Sequence, residues 1–127
     1  MPVGYKKGDR GAKSDEGKPP MALLDGYALG EVAKVLEHGK KKYGAHNWKE
    51  GIEVSRLISA ALRHIFAFLD GKDKDEESSL SPLAHAMCEL MFAIWMVKNR
   101  PDLDDRCKRS SLYIEKLDYS PENIMIG

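Results

Sequence analysis

Apolar residues recur at three- and four-residue intervals through most of the chain, which is the helical period, and no strand-like alternation lasts more than a few residues. From Met21 to Tyr43 the set Leu24, Ala28, Val32, Val35, Leu36, Gly39 and Tyr43 predicts a first helix. A second is predicted over about 53–69, with Leu57, Ile58, Ala61, Ile65 and Phe68 on one face and Gly71 as its stop. The third, over about 82–98, has Ser81 as N-cap, Pro82 in its first turn and Pro101 beyond its end. Its Leu83, Ala84, Met87, Leu90, Met91, Ile94, Trp95 and Val97 make it apolar around nearly its whole circumference, so it is expected at the centre. A short fourth helical segment is expected over 104–116. The fold class that follows is all-α, a helical bundle.

Residues 1–20 are rich in Gly, Lys and Asp, end in Pro19-Pro20 and contain almost nothing to bury, so they read as an arm. Residues 21–116 form the expected single helical domain and 117–127 a tail that docks on a neighbouring subunit. A three- or four-helix subunit with one helix apolar on every side exposes too much hydrophobic surface alone, which implies a homodimer or homotetramer.

Composition narrows the function classes. With 20 Lys plus Arg against 20 Asp plus Glu, the net charge is zero, which argues against a nucleic-acid polymer or a membrane surface as partner. No apolar run approaches the roughly 18 residues a bilayer span requires. The first twenty residues lack the apolar core of a secretory signal, and Cys88 and Cys107 have no metal or redox spacing. A reduced, cytoplasmic protein is expected.

Several side chains are candidates for chemistry. On the first helix Glu31 and Lys42 flank the apolar stripe, whereas Glu37 faces solvent. A carboxylate near the core must be paired or bind a cation, so Glu31 is either a ligand or one half of an ion pair. On the second helix Arg56, Ala60, Arg63, His64 and Ala67 share one flank, where arginine forks suit phosphate oxygens or, equally, neighbouring carboxylates. His64, taken by itself, reads as a hydrogen-bonded core histidine. His85 and Glu89 stack at i and i+4 on the third helix, as metal ligands or as a structural pair. Cys88 reads as a small buried apolar residue.

The loop 70–79 holds five carboxylates in ten residues, with Asp73, Asp75 and Glu77 alternating just before the helix that bears His85. Oxygen donors of this kind suit Mg²⁺ or Mn²⁺, and the plain alternative is a solvated charge run. An EF-hand is excluded, because counting from Asp73 its sixth and twelfth positions are Ser78 and Ala84. Gly11 to Gly17-Lys18 is not a phosphate loop: five residues intervene instead of four, and Pro19 stands where Ser or Thr is needed. No G-x-S-x-G elbow is present, and no cysteine has a nucleophile's context.

The segments GKPPMALL, EVAKVLEHGKKKYGAHNWKEG, SRLISAALRHIFAFLDGKDKDEES and LAHAMCELMF together resemble the phage and bacterial dATP/dGTP pyrophosphohydrolase group of the MazG-like all-α nucleotide pyrophosphatases, over about residues 15–97. The most specific pieces are KYGAHNW, Arg63-His64, Asp75-x-Glu77-Ser78 and LAHA around His85. The resemblance implies an oligomeric helical enzyme that cleaves a purine deoxynucleoside triphosphate, dGTP or dATP, to the monophosphate and pyrophosphate with Mg²⁺ or Mn²⁺. It also implies, for some phage members, a supply of dGMP for 2-aminoadenine synthesis. The superfamily's paired E-x-x-E and E-x-x-D are not legible: Glu31 is followed at i+3 by Lys34, and Glu89 by Phe92.

On this reading Glu31, Glu77 and His64 are the expected catalytic residues, and Glu31, Asp75, Glu77, His85 and Glu89 the expected metal ligands. Lys18, Lys42, Arg56 and Arg63 are expected on the phosphates, and Asn47 and Trp48 on the base or sugar. Two rivals remain: a non-catalytic helical nucleotide-binding or oligomerisation module, and an HD-type phosphohydrolase, against which stands the absence of any His-Asp dipeptide.

Overall fold

A computed structural model of the protein describes residues 11–107. Among them are three α-helices and no strand: α1 (Gly26–Tyr43), α2 (Val54–Leu69) and α3 (Pro82–Asn99). Short 3-10 turns at Met21–Leu23, Asn47–Glu50 and Pro101–Leu103 connect or extend them. The arm is exposed throughout residues 11–20. The fourth helical segment and the tail lie mostly or wholly outside the described residues, and 104–107 are not helical.

Local chemistry sets the helix ends. α1 begins five residues later than its apolar period predicts, because the Asp25 carboxylate accepts the Ala28 N–H at 2.8 Å and supplies the cap that Met21 lacks. It ends at Gly44, whose φ of 94° is cheap for glycine and whose N–H donates to the Lys40 carbonyl at 2.9 Å. α3 has the cap expected of it, with Ser81 Oγ accepting the Leu83 N–H at 3.2 Å and Pro82 following.

α2 lacks a cap from its own N-cap residue, Glu53. A distant one replaces it: Asp105, beyond α3, accepts the Ser55 N–H at 2.8 Å. The same return segment packs against Gly51, where φ is 120° and a Cβ would lie 2.8 Å from Leu103 Cδ1. Arg100 donates to the Glu50 carbonyl at 3.2 Å, so the entry to α2 and the exit from α3 are tied together.

α3 lies between the other two helices, packed extensively on α2 and less on α1. One core cluster joins Val32 and Val35 of α1 to Ala84 and Cys88 of α3, and a second joins Val54 and Leu57 of α2 to Ala93 and Met96. Phe92 packs against both. The centre expected for α3 is therefore observed, but not all of its apolar side chains are covered. Pro82, Ala84, Ala86, Cys88, Ala93 and Met96 are buried, the small ones letting the backbones approach, whereas Leu83, Met87, Leu90, Met91, Ile94 and Val97 remain exposed.

Candidate functional site

The loop between α2 and α3 is built around one carboxylate. α2 stops at Gly71, with φ of 101° and its N–H on the Phe68 carbonyl. Asp75 then organises a tight turn: its Oδ2 accepts the Glu77 N–H at 3.1 Å, the Ser78 N–H at 2.9 Å and the Ser78 hydroxyl at 3.2 Å. The Asp75 backbone closes the turn, donating to Leu80 and accepting from Ser79, which takes a left-handed φ of 63°.

Two histidines meet at this turn. His64 of α2 and His85 of α3 stack with ring centroids 4.6 Å apart and planes 19° from parallel. His64 Nδ1 lies 4.0 Å from Asp75 Oδ1, and His85 Nε2 lies 3.9 Å from Asp75 Oδ2 and 2.6 Å from Ser78 Oγ. Burial pushes the His85 pKa down, the neighbouring His64 adds to this, and Asp75 opposes it. Burial would push the Asp75 carboxyl up, yet the hydrogen bonds from Ser78 and Glu77, with the His85 charge, outweigh it and leave the pKa below the usual range. At neutral pH the cluster thus combines a neutral, half-buried His85 imidazole with an ionised Asp75 carboxylate.

A further set of charges lies beside it. Glu77 pairs with Lys42 from the last turn of α1 and lies 3.7 Å from His38 Nε2. The Lys42 ammonium holds the Glu77 carboxyl below its ordinary value. α1 is thereby fastened to the loop that carries Asp75 and Ser78.

The other expected site residues are dispersed. Glu31 pairs with Lys34 at 2.9 Å, one turn along its own helix, and Arg56 pairs with Glu53 at 3.0 Å. Glu89 is half-buried on α3; burial pushes its carboxyl up and the Arg63 charge partly offsets this. Lys18 donates to the Ser14 carbonyl within the arm. Trp48 is occupied in packing, with one face 4.3 Å from Phe92 and an edge contact to Trp95 at 5.1 Å, while Asn47 beside it is exposed. Burial and the nearby Glu89 push the Cys88 thiol up to about 12, which removes it as a nucleophile.

Most of the oxygens expected to hold Mg²⁺ or Mn²⁺ already have partners. Three donors already occupy Asp75 Oδ2, Lys34 takes Glu31 and Lys42 takes Glu77. Among the described residues no three of His, Cys, Asp and Glu are grouped so that they could hold a metal ion. As paired here, the donors of the described residues do not by themselves form a divalent-ion centre.

A cleft of ≈ 130 Å³ opens beside His64, lined also by Asp75, Pro82, Lys74 and the paired Lys72 and Glu76. Small-molecule sites usually measure about 300–1,000 Å³, so this cleft accommodates part of a nucleotide rather than all of it.

Ser78 and His38 are the site members that spacing alone does not single out. Asp75 had a turn signal, because an aspartate side chain readily accepts the N–H two residues on, but that signal says nothing of the Ser78 hydroxyl. His38 had none, since its approach to Glu77 depends on how α1 packs.

The family model described as dATP/dGTP diphosphohydrolase, N-terminal, matches residues 8–106. The chain belongs to this family. Its matched region contains all three helices and the whole His64–Asp75–Ser78–His85 cluster. A relative from Salmonella phage PMBT28, called dATP/dGTP diphosphohydrolase, is 44% identical over 96 residues, which is 76% of this chain and 33% of the relative. The chain therefore spans about one third of the length of the curated relative it matches. No solved structure matches it. Within the family's matched region, no helix of the described residues is long and apolar enough to cross a membrane.

Proposed function

We propose that this chain carries the hydrolytic centre of a purine deoxynucleoside triphosphate pyrophosphohydrolase, taking dGTP or dATP to the monophosphate and pyrophosphate. The observation that carries the reading is the stacked His64–His85 pair on Asp75 and Ser78, inside the region the diphosphohydrolase family model covers. A neutral imidazole next to an ionised carboxylate can take a proton from water as the phosphorus–oxygen bond forms. Lys74 at the cleft, with Lys72 once it leaves its 2.6 Å pair with Glu76, and Arg63 one residue before His64 supply charge to the phosphates as negative charge moves to the leaving group. The resemblance adds 2-aminoadenine synthesis as the destination of dGMP.

A second copy of the chain completes the assembly in this reading. Leu83, Met87, Leu90, Ile94 and Val97 are spaced four, three, four and three residues apart, which is the seam of a helix pair, and Ile94 is 73% exposed. Leu62, Phe66 and Leu69 of α2 continue the spacing and are also exposed. The small cleft and the dispersed carboxylates agree with a site that needs a partner's residues.

The test is to incubate the protein with dGTP, dATP, dCTP and dTTP in parallel with Mg²⁺, Mn²⁺ and a chelator, then separate the products. Monophosphate plus pyrophosphate from the purines is expected. Nucleoside plus triphosphate, diphosphate plus phosphate, or no turnover under any of these conditions would overturn the reading. Ile94→Glu is expected to convert a dimer to a monomer in sedimentation; a monomeric wild type at micromolar concentration would remove the second copy.

A further inference from the structure

The Ser78 hydroxyl stands where three polar groups meet. Its Oγ lies 2.6 Å from His85 Nε2 and 3.2 Å from Asp75 Oδ2, and it receives the Leu80 N–H at 3.2 Å. A hydroxyl has one proton to give and two lone pairs to fill. The Leu80 N–H, a pure donor, takes one lone pair. Asp75 Oδ2, as a carboxylate oxygen, is a pure acceptor and needs the proton. One lone pair remains for His85 Nε2, and only an N–H can fill it. In the reverse arrangement Ser78 would donate to Nε2, and two acceptor oxygens 3.2 Å apart would face each other with no proton between them.

We infer that a relay from Nε2–H to Ser78 Oγ–H to Asp75 Oδ2 holds the His85 proton on Nε2, so that Nδ1 is the basic nitrogen of the site. Ser78 and Asp75 are then positioning residues that act through His85. The geometry supplies its own anchor, because the Glu77 and Ser78 N–H groups fix the Asp75 carboxylate at the far end of the relay. The inference rests on the reading that this cluster is the hydrolytic centre only where it speaks of turnover. There, the oxygen of water bonds to phosphorus and the bridging phosphorus–oxygen bond breaks. The bridging electron pair leaves with pyrophosphate, and the water's proton goes to Nδ1. The resulting imidazolium keeps Nε2–H on Ser78 and returns the Nδ1 proton to solvent.

Long-range proton–nitrogen correlation spectra of the ¹⁵N-labelled full chain, taken above the imidazole titration range, decide the tautomer. His85 is expected to show a protonated, pyrrole-type Nε2 with a slowly exchanging proton, and a pyridine-type Nδ1. Ser78→Ala is expected to lose the slow exchange and move towards a tautomer mixture, and Ser78→Thr to restore both. A pyridine-type Nε2 in the wild type overturns the relay, and that measurement needs no variant to fold. If the wild type shows the expected tautomer but hydrolyses no deoxynucleoside triphosphate, the hydrolase reading falls and the relay stands.

Discussion

The two ends of the α2–α3 pair use the same kind of contact for opposite purposes. At one end Trp48 stacks on Phe92 and meets Trp95 edge-on against Leu57, Ala93 and Met96, with the Lys49 ammonium over the two indole rings. At the other, His64 and His85 stack in similar geometry, but each presents a nitrogen to Asp75. Ring stacking at the first end excludes water and adds stability. At the second it brings two imidazoles to one carboxylate, where burial and then the neighbouring His64 lower the His85 pKa. The difference teaches that Trp48, expected on the nucleoside, packs at the end where the charged groups tie backbone segments together, as Arg100 and Asp105 do, whereas stacked imidazoles meet a carboxylate where the chain reverses between α2 and α3.

That contrast can be broken in a definite order. His85→Gln should lower hydrolysis by about 10²–10⁴-fold, the usual worth of a positioned general base. Its effect on stability should stay within about 1 kcal/mol, because a polar side chain of similar reach remains. Phe92→Ala should do the reverse, costing about 3 kcal/mol in urea unfolding, since Phe92 links both core clusters. An activity loss in Phe92→Ala beyond its loss of folded protein would blur the two ends into one site. Asp75→Ala should cost about 1–2 kcal/mol, as the turn's N–H groups lose their acceptor.

The pH dependence is smaller and its sign is fixed by His85. Burial keeps its folded pKa below the ordinary 6.5, so the unfolded chain binds the proton first as pH drops. Stability is fully present above 6.5 and declines as pH falls from there towards the folded pKa. Asp75, depressed below 3.8, protects stability until pH falls lower still. Urea unfolding followed across this range should show a shallower decline in His85→Gln than in wild type, and an equal slope would remove His85 as the source. His64, His38 and Glu77 also act on His85, so the comparison between variants is more informative than the wild-type slope. Glu31→Gln should have the least effect, within about 0.5 kcal/mol, because the Lys34 pair is a surface contact.

The all-α class, the second and third helices and the Ser81-Pro82 start were legible in the apolar period and capping residues. The start of α1 was not, because periodicity ran through Met21 and Leu24 while the Asp25 cap decided where hydrogen bonding begins. Helical-wheel reasoning placed Glu31 on a flank but gave no means of choosing between an ion and Lys34 as its partner. Asp75 and His85 could be singled out separately; their shared contact with Ser78 depends on a turn whose left-handed residue, Ser79, is atypical for its type.

The sequence by itself determined the helices and which residues are small enough to let them meet, since period, caps and side-chain volume act within a few residues of one another. Only the tertiary structure decided that α3 leaves Leu83, Met87, Leu90 and Ile94 outside while burying Met96, that Asp105 serves as the missing acceptor for α2, and that His64 and His85, 21 residues apart, face one carboxylate. Those outcomes depend on contacts between distant segments, whose distances are set by packing and not by the order of residues along the chain.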